Sequence, residues 1–188
     1  MLNTIYGGLS EGAPPAALSS YESISTVTVG SGGSSSIDFT SIPSSYTHLQ
    51  IRGIARCTAS TSDIDLYMRF NSDSGSNYNW HFVYGDGGSA ATSNGVPANY
   101  IDALRTTGAS SGTSRFGAGV IDILDYANTN KYKTARILTG QDQNGSGLVI
   151  FISGAWRNTA AITSLSFYYP TGSIAQYSQL ALYGIKGS

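Results

Sequence analysis

An all-β fold is what this sequence predicts, an antiparallel β-sandwich of jelly-roll-like type preceded by an extended N-terminal arm. Three observations carry it. Apolar residues recur with period two, turn signals fall every ~8–12 residues, and no stretch has the periodicity of an amphipathic helix. A chain of 188 residues suits one domain and is long enough to bury roughly 70% of the surface it exposes when unfolded. The expected division is an arm over residues 1–19 and a sandwich over residues 20–188.

In the arm, Gly7-Gly8, Gly12 and Pro14-Pro15 interrupt any regular element, and Leu2, Ile5, Tyr6 and Leu9 are apolar without a period. Pro14-Pro15 favours extended polyproline geometry. Such a segment is either a solvated tail or an arm that docks on a neighbouring subunit through those four side chains. Strands follow. Ser23–Val29 is rich in β-branched residues and leads through Gly30-Ser31-Gly32-Gly33 to Ile37-Asp38-Phe39. Over Tyr46–Cys57 the residues Leu49, Ile51, Gly53 and Ala55 alternate with His48, Gln50, Arg52 and Arg56, the signature of a half-buried strand. Ile64, Leu66, Met68 and Phe70 repeat the pattern, as do Trp80, Phe82 and Tyr84.

The Gly/Ser/Ala/Asn stretch from Gly85 to Gly95 reads as a long loop, and Asn99–Arg105 fits a short helix or a strand equally. Phe116–Tyr126 and Thr134–Gly140 are strands, the second ending at Asn144-Gly145, a hairpin-turn signal. Leu148–Ser153, Ile162–Tyr169 and Tyr177–Ile185 complete about eight to ten strands. The unequal loops Asn71–Asn79, Gly85–Gly95 and Thr106–Ser114 suit a Greek-key or jelly-roll sandwich better than an up-and-down barrel.

Charge is sparse: 11% of residues, with a net charge of −1 and three lysines, Lys131, Lys133 and Lys186. That balance argues against non-specific nucleic-acid binding, which relies on neutralising phosphates. A nearly neutral surface also gives little colloidal repulsion, so association is expected. No apolar run is long enough for a membrane-spanning helix, and the N-terminus lacks the basic and apolar regions of a signal peptide. The one cysteine, Cys57, allows no internal disulfide, and its place on the apolar face of a strand predicts a buried thiol.

Catalytic and metal-binding constellations are not apparent, so neither an enzyme nor a cofactor is expected. His48 and His81 lie opposite apolar positions and read as surface or cross-strand residues. The loop Asn71–Asn77 resembles a calcium loop, but its twelfth position is Phe82 where a bidentate Glu belongs, so it reads as a polar turn. Asp122 and Asp125, three apart on a strand, face opposite ways and are expected to pair with Arg105, Arg115 or Arg136. With 13 tyrosines and two tryptophans, interface contacts or sugar stacking are both open. Trp80 and Trp156 are candidates for core anchors, aromatic contacts or a glycan platform.

A resemblance adds to this reading. Ser41-Ile42-Pro43-Ser44-Ser45-Tyr46-Thr47-His48-Leu49 leads into Arg52-Gly53-Ile54-Ala55-Arg56, and Phe70-Asn71 precedes Asp73-Ser74-Gly75-Ser76-Asn77-Tyr78. Gly145-Ser146-Gly147, Ser153-Gly154-Ala155-Trp156 with Asn158-Thr159, and Leu182-Tyr183-Gly184-Ile185-Lys186-Gly187 follow. As a set these are similar to a family of virion structural domains of tailed bacteriophages, common in marine and cyanobacterial viruses. The likeness runs from about Ser35 to the C-terminus and leaves the arm outside.

It implies a jelly-roll-like domain without enzymatic activity, in a virion assembled in the host cytoplasm. The partners it implies are the major capsid protein or other virion subunits, with homo-oligomers of closed symmetry. A short arm on one β-domain suits a capsid cement or decoration protein; the alternative is a tail or fibre subunit that recognises a host surface glycan.

Overall fold

A computed structural model of the chain describes residues 20–187. Twelve strands form two antiparallel sheets packed face to face, so the β-sandwich the sequence predicts is what the chain forms. In chain order they are β1 (Tyr21–Thr28), β2 (Ser36–Phe39), β3 (His48–Ala55), β4 (Asp63–Phe70), β5 (Tyr78–Gly85) and β6 (Ala90–Ala98). Then come β7 (Ile101–Thr107), β8 (Gly117–Leu124), β9 (Lys133–Asp142), β10 (Gly147–Trp156), β11 (Leu165–Tyr168) and β12 (Gln179–Ile185). The larger sheet has the order β1-β12-β3-β8-β9-β10-β5-β6 and the smaller β2-β11-β4-β7. The expected arm, with Leu2, Ile5, Tyr6 and Leu9, lies outside the described residues.

Alternation decides which side of each strand is covered. Leu49 and Ile51 on β3, Ile121 and Ile123 on β8, and Ile150 and Ile152 on β10 face Leu66, Met68 and Phe70 of β4 and Phe167 of β11 across one continuous core. Gly53 and Gly119 stand in register on this inner face, and a Cβ at either would meet the Leu104 side chain within 2.8 Å. Their missing side chains let β7 settle onto the larger sheet.

Two segments depart from expectation. Gly85–Gly95 is not a loop: most of it forms β6, an edge strand. No periodicity marks it, because its side chains are exposed or half-buried throughout and neither face needs to be apolar. Gly95 within it is the necessary residue where the Trp80 ring lies, since a Cβ there would sit 2.5 Å from the indole. The ambiguous Asn99–Arg105 becomes strand β7, almost wholly buried, which explains why its polar and apolar residues gave no helix–strand distinction. The Asn144-Gly145 turn forms as predicted, with φ of 62° and 121°, and joins β9 to β10. Among the described residues no helix is long and apolar enough to cross a membrane.

Candidate functional site

The side chains singled out from the sequence are mostly taken up by the fold. Trp156 is 1% and Trp80 8% exposed. Neither offers a free ring face, so of the readings the sequence left open they are core anchors and not a glycan platform. Trp156 stacks against Tyr78 and meets Phe70 edge-on, while Trp80 stacks on Phe82. The calcium-like loop is closed on itself. The Asp73 carboxylate accepts hydrogen bonds from Trp156 Nε1 (2.7 Å), the Gly75 amide (2.8 Å) and Asn77 Nδ2 (2.9 Å). Burial alone would raise the Asp73 pKa; the hydrogen bonds from Trp156, Asn77 and Gly75 outweigh it and hold the carboxyl below its ordinary value.

Cys57 is fully buried, and burial pushes its thiol pKa up. His48 Nδ1 accepts the Asp125 amide (3.0 Å), and His81 projects from the outer face of β5. Asp125 does not pair with an arginine: just beyond β8 its carboxylate pairs with Lys131, while its amide is the group that His48 holds. Asp122 stands beside Arg136 in register but accepts its hydrogen bond from Gln50 Nε2 (2.8 Å). Arg105 instead bridges Asp63 and Asp65 on β4 at 2.5 and 2.7 Å. Among the described residues no three His, Cys, Asp or Glu side chains group as metal ligands.

The outer face of the smaller sheet carries that ion triad beside an aromatic set. Tyr67 and Tyr100 stack at 3.7 Å, and the Arg69 guanidinium lies 4.7 Å from the Tyr168 ring centre. Asp102, in register with Tyr67, is 4% exposed, and its Oδ1 has no hydrogen-bond partner among the described residues. Burial, reinforced by the Asp65 charge and only partly offset by Arg105, pushes its pKa to about 7. The same residue types that would suggest a catalytic carboxyl thus sit closed inside a strand pair.

The larger sheet presents a different outer face. One row runs Arg52–Val120–Leu138–Phe151–Val83 across five strands, residue opposite residue. The neighbouring row is Ile54–Ala118–Gly140–Val149–Gly85. Ile54, Val83, Leu138, Val149 and Phe151 are 44–55% exposed, so the two rows make a contiguous apolar surface on the solvent side. The small residues Ala118, Gly140 and Ala181 leave a shallow groove of about 530 Å³ running from β12 to β10, rimmed by Arg52 and Tyr183. A second hollow of about 360 Å³ lies beyond Leu138, bounded by Phe151 and Val83.

One row toward the other end of the strands the surface turns polar: Tyr183, Gln50, Asp122, Arg136, Ser153 and His81 stand in line. Arg136 Nη1 donates to Ser153 Oγ at 2.7 Å, and Arg52 lies over the stacked rings of Tyr21 and Tyr183. The boundary between wet and dry rows is therefore sharp. Each half-exposed apolar side chain would gain roughly 1 kcal/mol on being covered. Sequence reading missed these residues because they sit inside unbroken apolar runs, Val149-Ile150-Phe151-Ile152 and Val120-Ile121. A strand that is apolar on both faces is the available signal, since the face away from the core must then be covered by something. Comparison with family models, characterised proteins and solved structures finds no match to this chain.

Proposed function

We propose that this chain is a non-enzymatic structural subunit of a bacteriophage particle, a jelly-roll-like capsid cement or decoration protein that stiffens the shell by adding contact area between subunits. The observation that carries the reading is the apolar outer face of the larger sheet, Ile54, Leu138, Val149, Phe151 and Val83, which the described residues leave uncovered. Such a surface, on a chain with few charges, belongs to a protein that works in contact with others. The sequence likeness to virion structural domains supplies the particle, and the major capsid protein is the partner it implies. A stable interface buries about 1,200–2,000 Å² in total, within the means of one sheet face supplemented by an arm.

Quantitative mass spectrometry of purified particles tests the reading. Many copies, in a fixed ratio to the major capsid protein, support the cement role. A small fixed number places the chain in a tail or fibre and replaces this reading with the glycan-recognising alternative. That alternative no longer has Trp80 or Trp156 as platforms. Lack of the chain from the particle overturns both.

A further inference from the structure

The apolar outer rows of the larger sheet have a relief as well as a chemistry, and the relief is complementary to itself. We propose that this face receives the same face of a second copy of the chain, packed sheet on sheet about a two-fold axis that lies along β9. The inference rests on the reading of this face as a contact surface and names its occupant.

Of the five strands that carry the apolar rows, β3, β8, β9, β10 and β5, the middle one is β9. Rotation about an axis along it keeps each row on its own row and exchanges the strands on either side. β10 of one copy then lies over β8 of the other, and β3 lies over β5. The side chains on those strands differ in height. On β10, Val149 and Phe151 stand half-exposed and form a ridge. Over β8 the small Ala118, with Gly140 beside it, lines the groove between Ile54 and Leu138. The ridge of one copy therefore meets the groove of the other. Half-exposed Ile54 on β3 meets the second hollow, where Gly85 on β5 leaves room beside Val83 and Val149.

Charge selects this two-fold over the other one available. Arg136 Nη1 donates to Ser153 Oγ on β10, so the guanidinium leans toward the strand that β8 of the second copy covers. In that same row the residue of β8 is Asp122. Each copy thus brings its Arg136 to the partner's Asp122, once on either side of the axis. An axis across the strands does the opposite. It lays Ala118 and Gly140 on the partner's Asp122 and the partner's Arg136, burying charges against apolar surface. Area is sufficient as well. Five strands about 4.8 Å apart and three rows about 6.8 Å apart give a footprint of roughly 500 Å² per copy. The pair then buries about 1,000 Å² before side-chain relief is counted, the size that marks a specific interface.

Sedimentation velocity on the purified full chain tests this. The parent is expected to run as a concentration-dependent dimer. Leu138→Asp, on the axis and exposed, so that its replacement leaves the core intact, is expected to weaken the dimer by about tenfold or more. Tyr132→Asp, at a residue similarly exposed but lying before the start of β9, is expected to leave it unchanged. Asp122→Arg and Arg136→Asp decide the geometry, because each sets like charges across the axis. Each variant alone is expected to dimerise about tenfold more weakly than the parent, and an equimolar mixture to recover dimers with one copy of each. A parent that is monomeric at every concentration overturns the proposal and leaves the face to residues 1–19 or to another virion subunit. Equal effects of Leu138→Asp and Tyr132→Asp, or a mixture no better than its components, overturn it too. These measurements use purified protein, so their failure is separable from that of the particle reading, which copy number decides.

Discussion

The two outer faces of this sandwich handle solvent in opposite ways. On the smaller sheet, Arg105 answers Asp63 and Asp65, Arg69 lies over Tyr168, Tyr67 stacks on Tyr100, and Asp102 is held at a raised pKa. That face pairs its charges and rings internally, although Asp102 Oδ1, Arg105 Nε and the Tyr168 hydroxyl have no hydrogen-bond partner among the described residues. On the larger sheet, Val120, Leu138, Phe151 and Val83 stand in one line with no such partners across them among the described residues, next to a polar row that is hydrogen-bonded internally. A surface that pairs its own groups costs stability when it is altered. One that leaves apolar area uncovered should cost little in the free protein and much in an assembly.

Among changes to the two outer faces, the largest loss of folding stability is expected from breaking the ion triad. Arg105→Ala strips two carboxylates of their shared cation, and Asp65, whose pKa burial already raises despite Arg105, is left without compensation. A loss of about 3 kcal/mol is expected, the range for removing one partner of a desolvated pair. Urea unfolding at pH 7 measures it. A loss under about 1 kcal/mol would mean that this face is solvated rather than internally paired, and the contrast between the faces would fail.

Asp102 sharpens the contrast through pH. Its folded pKa of about 7 lies above the ordinary carboxylate value near 4, so the native state binds the proton more tightly than the unfolded chain. Stability from this group is full below about pH 4, falls as pH rises, and is flat above about 7. Asp102→Asn keeps the shape and discards the titration. The variant is expected to match the parent near pH 4 and to exceed it by up to about 4 kcal/mol at pH 8. Thermal melts of both proteins across that range measure the difference, and parallel curves would remove Asp102 from the account.

How much of this was legible in the sequence follows from how many faces each strand shows to water. β3 and β4 bury one face each, so Leu49, Ile51, Leu66, Met68 and Phe70 announced both strand and core. β6, with no buried face, and β7, with almost no exposed one, gave no period and were read as a loop and as an ambiguity. The candidate surface was hidden for the second reason. Val149 and Phe151 alternate with Ile150 and Ile152, and an apolar run does not say which half meets the core. Register across β8, β9, β10 and β5 was needed to show that the outward halves line up. Trp80 and Trp156 stayed open for another reason: a large ring flanked by polar residues reads alike whether it anchors a core, as both do, or greets a ligand.

The smallest effect on folding, and the one that separates the faces most cleanly, is expected on β10 itself. Phe151 projects outward at 51% exposure, while its neighbour Ile152 points into the core. Phe151→Ser removes an aromatic ring from the uncovered face without opening a cavity, so unfolding free energy should move by no more than about 0.5 kcal/mol. Ile152→Ala, one residue away, should cost about 2–4 kcal/mol through the cavity it leaves. If Phe151→Ser proved as damaging as Ile152→Ala, the ring would be supporting the fold rather than waiting for a partner. If it left stability unchanged while lowering binding of a hydrophobic dye, the apolar row would be a surface kept for contact, maintained at no cost to the sandwich beneath it.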